Sequence, residues 1–268
     1  MDTKRRFWRL KKIWGMWQQQ MSTLAAAVAF YTCFPVPTTW TLEFRGMARL
    51  APVVGILLGG WLGLLDGLLA ALSVPILTRS ALVVLAWLAA TGGLHLDGAM
   101  DTADGLATPD PQRRLQVMSD SVTGAFGAMA AVAIVVLKIV ALGDLADHRW
   151  VAIMAAAGWG RWGQLVAIAR YRYLKPTGKG AMHKDTINSP MALLPGLVVL
   201  LALAGIFGWL APANWLFALA TVFGGSAIAI LTGAWLNQKL GGHTGDTYGA
   251  IVEWTEALLL CLLTSLAA

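Results

Sequence analysis

Between Gly92 and Leu106 the chain reads GGLHLDGAMDTADGL, which places Asp97, Asp101 and Asp104 within eight residues of a sequence that is only 13% charged. Their i, i+4, i+7 spacing puts all three carboxylates on one face if the segment is helical. Gathering like charges there is unfavourable by roughly 0.2–0.5 kcal/mol per exposed pair, so something positive is expected between them. Carboxylate oxygens are the ligands that hard cations prefer, and magnesium usually completes its shell with water and substrate phosphates. In a continuous helix His95 points away from the aspartate face, so it is counted with substrate-binding residues rather than with ligands. The competing reading is a solvated interfacial loop in which Asp97 caps a helix.

A second acidic group strengthens the metal reading. The stretch GGHTGDTYGAIVEWTEALLL carries Asp246, Glu253 and Glu256 from a glycine-rich turn into an apolar run. Asp246 and Glu253 share a helical face, and Glu256 follows one turn later. Six of the 14 acidic residues thus lie in two places, and ionisable groups inside a span mark functional sites by default. A shared polar cavity is the expectation.

Two cations, Lys138 and Arg161, also interrupt apolar runs. Each could snorkel or pair with a glutamate, although Arg161 is mid-span and its guanidinium suits bidentate contact with phosphate or carboxylate. The loop RYRYLKPTGKGAMHKD adds Lys175 and Lys179 among other bases, with plain positive-inside bias as the alternative explanation. Asp120, in MSDSVTGAFG, is a second-tier site residue for which helix capping competes. Acids for magnesium and bases for phosphate describe a metal-dependent transferase acting on a phosphate ester or anhydride.

These residues need a scaffold, and the composition says which kind. With 57% hydrophobic residues in 268, the chain departs far from the roughly 25% charge of soluble domains. Seven runs approach the length of about 18 residues that crosses a bilayer: Leu50 to Leu72, Ile76 to Leu94, Thr123 to Leu142, Trp150 to Ala169, Met191 to Leu210, Asn214 to Trp235 and Ala250 to Ala268. The expected fold is therefore all-α, a polytopic membrane helix bundle forming one domain over residues 1–268. Residues 1–21 read as a basic amphipathic surface segment, and the short run Thr23 to Phe34 as an interfacial or re-entrant piece. The opening residues lack the run and cleavage site of a signal peptide.

The net charge of +6 does not call for nucleic acid. If the N-terminus is cytoplasmic, the bases outside the spans fall almost wholly on the inner side, leaving only Arg79 and Arg149 outside, as the positive-inside rule asks. Both acidic groups then face the cytoplasm, in a multi-pass inner-membrane protein. Cys33 and Cys261, the only cysteines, suggest neither a disulfide framework nor a zinc site.

GGLHLDGAMDTADGL resembles the GG-(F/L)-H-x-DG-x-x-D-x-x-DG motif of the cobalamin synthase family. FYTCFPVP, MSDSVTGAFG and TGDTYGAIVEWTE are similar to three further segments of that family, and Lys138, Arg161 and KPTGKGA fall where similar residues occur. Cys33 stands where the family usually has arginine. The resemblance covers about Phe30 to Glu256. It implies that α-ribazole, or its 5′-phosphate, displaces GMP from adenosylcobinamide-GDP to give adenosylcobalamin or its phosphate, with magnesium.

On that basis Asp97, Asp101 and Asp104 are expected to bind Mg2+, with Asp101 or Asp104 also taking the nucleophile's proton. Asp246 and Glu253 would complete a metal or water shell. His95, Asp120, Lys138, Arg161, Lys175 and Lys179 would hold substrate. Membrane lipid, other enzymes of the cobalamin pathway and further copies of the chain are candidate partners. The competing classes are an ion- or proton-coupled transporter and a CDP-alcohol phosphotransferase of lipid synthesis. The motifs gather on one side with no duplicated half, and Ala99, Met100 and Asp101 follow Asp97 and Gly98 where the latter family has DG-x-x-A-R.

Overall fold

The computed structural model describes residues 2–187 and 189–266, with the backbone alone for residues 2–10, 12, 13 and 179. Helices follow in the order α1 (Asp2–Tyr31), α2 (Ala51–Ala71), α3 (Ile76–Thr91), α4 (Leu94–Ala107), α5 (Arg114–Val117), α6 (Ala125–Asp144), α7 (Arg149–Arg170), α8 (Lys179–Thr186), α9 (Leu194–Leu210), α10 (Trp215–Leu240) and α11 (Gly245–Thr264). No strand occurs among the described residues beyond one isolated bridge, Tyr173 with His243. The fold is an all-α bundle.

Five described helices, some with an adjoining 3-10 turn, are long and apolar enough to cross a membrane: those ending at Ala71, Asp144, Leu210, Leu240 and Thr264. The bent pair α3 and α4 raises the number to six. The expected seventh run, Trp150 to Ala169, does form a helix, but α7 is less apolar because it carries Arg161, Gln164 and three glycines. It is also the most enclosed helix, packed against α2, α9, α10 and α11. A helix wrapped by protein need not be apolar toward lipid.

Small residues permit the close packing, as is usual between membrane helices. A Cβ on Gly59 of α2 would fall within van der Waals overlap of the Met154 backbone in α7, and one on Gly160 of α7 would lie 2.8 Å from the Val252 carbonyl of α11.

Two expectations are corrected. The basic segment 1–21 and the apolar piece Thr23 to Phe34 are not separate: they form the single 30-residue helix α1. No proline interrupts them, and the helix stops only at Tyr31, shortly before Pro35 and Pro37, where residues preceding proline disfavour helix. The C-terminal part of α1 is buried through Thr23, Ala26, Ala27 and Tyr31, so it is a packed element of the bundle rather than a re-entrant piece.

The second correction concerns Ile76 to Leu94, which is not one run entering the acidic stretch directly. Gly92 and Gly93 both take left-handed φ, 59° and 69°, a conformation costly for residues with a Cβ. The chain turns by 90° there. Consequently α4 leaves the line of α3 and lies across the N-terminal ends of α6 and α11, so that its aspartates lie beside the bundle's end.

Candidate active site

Helix α4 presents the acidic face, and backbone proximity fixes where that face lies. A Cβ on Gly98 would sit 2.7 Å from the Asp246 carbonyl, and one on Gly249 2.7 Å from the His95 carbonyl. The first turn of α11 is therefore pressed against α4, bringing Asp246 beside Asp97 and Asp101. Thr244 starts α11 with a capping box formed with Thr247, satisfying helix donors that would otherwise be orphaned.

The loop after α7 completes the rim. Leu174 donates its N–H to the His243 carbonyl at 2.8 Å, and His243 donates to Arg172 at 2.9 Å. This pairing sets Lys175 Nζ 2.9 Å from Asp246 Oδ2, a half-exposed ion pair. The Lys179 side chain, expected beside it, lies outside the described residues.

Asp101 is the most crowded carboxylate. Burial, followed by the negative charges of Asp97 and Asp246, pushes its pKa from 3.8 up to about 6, with Lys175 opposing and Asp104 adding to the rise. Among the described side chains, Lys175 is thus the one cation set against Asp97, Asp101, Asp104 and Asp246, which leaves excess negative charge among them.

Asp104 has a different occupation from its neighbours. Its Oδ2 accepts the Gly124 N–H at 2.7 Å and its Oδ1 the Gly127 N–H at 2.8 Å. It therefore caps α6 from a separate helix, the task that local sequence suggested for Asp120. Asp120 is exposed and accepts only from Val122 N at 3.2 Å; the structure does not bring it to the aspartate face.

Nor does the structure bring Glu253, Lys138 and Arg161 to the rim. Lys138 Nζ lies 2.7 Å from Glu253 Oε2 and 2.5 Å from Glu256 Oε2, while Arg161 Nη1 lies 2.8 Å from Glu256 Oε1. All four side chains are at most 3% exposed. Lys138 also sits over the Trp87 ring, 4.6 Å from its centroid. Two cations and two anions close a neutral interior cluster. Neither snorkelling of Lys138 nor membership of Glu253 in a shell with the aspartates matches this geometry, because the two are paired with each other in the interior, while Arg161 keeps Nε and Nη2 without a partner among the described residues.

Among the described residues no three His, Cys, Asp or Glu side chains converge as a metal cage. The donor chemistry nevertheless suits magnesium, which takes one or two carboxylates and leaves its remaining positions to water and phosphate. Asp97 and Asp101, one turn apart on α4, are in no ion pair and cap no helix among the described residues, and Asp246 lies beside them.

Behind the rim lies a cavity of about 270 Å³ reached between α4, α11 and the loop after α7. His95, Tyr31, Gln164, His183 and Tyr248 line it, and each is at most 4% exposed. His95 thus faces a cavity rather than the aspartates' side of α4, as its position predicts. Burial, together with the positive charges of Arg161 and Lys138, holds its pKa well below the usual imidazole range. The other four residues were not singled out by sequence reasoning, because they come from four separate elements, although Tyr31 lies inside FYTCFPVP, His183 inside RYRYLKPTGKGAMHKD and Tyr248 inside TGDTYGAIVEWTE.

A charge cluster at the opposite end of the bundle was also missed. Asp66 of α2 receives Arg149 Nε at 2.9 Å and Nη2 at 2.7 Å, with Arg79 Nε at 3.1 Å. A lone acid within LGLLDGLLAA was the signal that could have found it.

Comparison with known proteins gives these features a context. A family model described as cobalamin-5-phosphate synthase matches residues 23–264. A protein named adenosylcobinamide-GDP ribazoletransferase from Trichormus variabilis is 61% identical over 246 residues, covering 91% of this chain and 96% of its own length. Those of the same name from Synechococcus elongatus and Thermosynechococcus vestitus are 53% and 47% identical, covering 91% and 95% of this chain and 96% and 98% of theirs. No solved structure matches. With nearly the whole bundle covered, from the buried part of α1 to the end of α11, the chain belongs to the cobalamin-5-phosphate synthase family.

Proposed function

We propose that this chain joins α-ribazole, or its 5′-phosphate, to adenosylcobinamide-GDP and releases GMP, acting as a multi-pass protein of the inner membrane with its site on the cytoplasmic side. The names of its relatives favour this over ion transport or transfer from a CDP-alcohol. The observation that carries the mechanism is the crowding of Asp101 between Asp97 and Asp246 on a half-open rim.

A ribose hydroxyl oxygen forms a bond to the cobinamide-side phosphorus as the bond from that phosphorus to the bridging oxygen breaks, and GMP departs with the electron pair. The hydroxyl proton passes to Asp101, the carboxylate that stands between Asp97 and Asp246. Lys175, already at the rim, neutralises phosphate charge. Magnesium, held by Asp97 and Asp101 with Asp246 alongside, would supply further charge neutralisation for the diphosphate. The basic residues of the loops and the lipid surface keep the rim facing the cytoplasm. Docking of other cobalamin-pathway enzymes or of a second copy belongs to the same proposal.

The test is GMP release by the protein in lipid vesicles supplied with both substrates, with magnesium and then with excess chelator. Magnesium-dependent GMP with a matching cobalamin product is expected. Asp101→Asn is expected to lower turnover by about 100-fold or more while inserting normally; near-normal turnover in that variant sinks the role of Asp101.

A further inference from the structure

The cavity behind the aspartates has more unmatched polarity than packing explains. Both ring nitrogens of His95, both of His183, Gln164 Oε1 and the Tyr248 hydroxyl have no hydrogen-bond partner among the described residues, although all four side chains are more than nine-tenths buried. Buried polar groups are ordinarily paired, and each orphan costs roughly 1–3 kcal/mol. Gln164 is held in place by donating from Nε2 to the Tyr31 hydroxyl at 3.3 Å, and its carbonyl oxygen is left without a partner among the described residues.

The walls also have a common grain. The Tyr31 ring lies parallel to His95 and to His183 within 15°, at centroid distances of 6.0 and 6.2 Å. Rings in one orientation with orphan donors and acceptors beside them suit a flat nitrogen heterocycle. Burial alone holds the His183 pKa at about 4, so its imidazole is neutral and presents one donor and one acceptor.

Size and charge narrow the guest. At about 270 Å³ the space falls below the roughly 300–1,000 Å³ of whole-ligand pockets; it admits a fused-ring base and excludes a corrin macrocycle. Its mouth carries Asp97 and Asp246 with Lys175, and the two carboxylates are acceptors that suit the hydroxyls of a nucleoside's sugar.

Resting on the ribazole-transfer reading, we infer that this cavity seats the heteroaromatic base of α-ribazole, with His183 and Gln164 meeting its edge and its sugar hydroxyls directed back to Asp97 and Asp101. His183 and Gln164 are then specificity-determining residues for the acceptor nucleoside, separate from the carboxylates that do the chemistry.

Equilibrium dialysis of labelled α-ribazole against the full chain in nanodiscs, without adenosylcobinamide-GDP, tests this. The wild type is expected to bind α-ribazole and GMP not to displace it. Gln164→Leu and His183→Ala are each expected to weaken binding about tenfold and to raise the KM for α-ribazole similarly, leaving the KM for adenosylcobinamide-GDP unchanged. Displacement by GMP, absence of wild-type binding, or wild-type affinity in both variants overturns the seat. The GMP competition uses only wild-type protein, so it decides even if a variant fails to fold. A wild type that releases GMP from the two substrates but fails these tests loses the seat alone, whereas no GMP release removes the ribazole-transfer reading itself.

Discussion

The two ends of the bundle handle charge in opposite ways. At one end a single carboxylate, Asp66, is gripped by two guanidiniums, and Arg149 also donates to Ser80 Oγ at 3.1 Å and to the Leu142 and Leu145 carbonyls. That cluster ties α2, α3, α7 and the end of α6 together with almost nothing left unpaired. At the other end four carboxylates have, among the described side chains, Lys175 for a cation, and the most crowded of them is pushed to a pKa of about 6. Matched charge at one end serves cohesion; unmatched charge at the other is kept at a cost to stability, which is the expected signature of a site that acts on a ligand.

The largest effect is expected where charge is best matched. Arg149→Met leaves Asp66 buried with only Arg79 for company and should cost about 3–5 kcal/mol, measured as unfolding in detergent, with GMP release per folded molecule unchanged. Loss of turnover in protein that remains folded would break the contrast by giving the far end a catalytic part.

An intermediate effect is expected where α4 meets α11. Gly98→Ala sets a Cβ 2.7 Å from the Asp246 carbonyl and should cost about 1–3 kcal/mol, while moving α4 away from Asp246 and depressing turnover more than stability predicts. Unchanged turnover would show that this contact does not set the rim.

The smallest effect carries the opposite sign. The folded-state pKa of Asp101, about 6, lies above its ordinary 3.8, so the folded protein holds the proton more tightly and loses stability as pH rises between those values. The group is only partly buried, so screening limits the loss to about 1 kcal/mol or less. Asp101→Asn should therefore be slightly more stable than wild type at pH 7 without metal. Added magnesium should stabilise the wild type more than the variant; equal stabilisation of both by thermal shift would remove Asp101 from the cation's ligands.

Much of this was legible in the sequence because membranes impose a simple code. The apolar runs marked α2, α6, α9, α10 and α11 to within a few residues, and the i, i+4, i+7 aspartates predicted a shared face on α4. What one chain segment cannot disclose is which distant backbone claims a side chain. Asp104 looked like its two neighbours but caps α6; Asp120 looked like the cap. Lys138 and Arg161 suited either phosphate or a glutamate, and the sequence could not say which, because their partners Glu253 and Glu256 lie about a hundred residues away. The cavity was hidden for the same reason, since Tyr31, Gln164, His183 and Tyr248 come from α1, α7, α8 and α11 and share no period.

The right-angle turn at Gly92 and Gly93 has a consequence for the order in which the protein is built. The chain emerges N-terminus first, and when α4 appears Tyr31, which stacks on His95, is already made, but the groups on α6 and α11 that pack against it are not. Asp104 must wait 20 and 23 residues for the N–H groups it caps, and Gly98 must wait for Asp246, near the C-terminus, before its helix has a floor. Until then a strongly acidic, glycine-rich segment hangs from the end of α3 with its charges solvated. Closure of the site is thus a late event of biogenesis, coupled to the arrival of the last span, and a ribosome that stops before α11 leaves an inserted chain whose α4 is held at Asp104 but lacks Asp246 and the floor beneath Gly98.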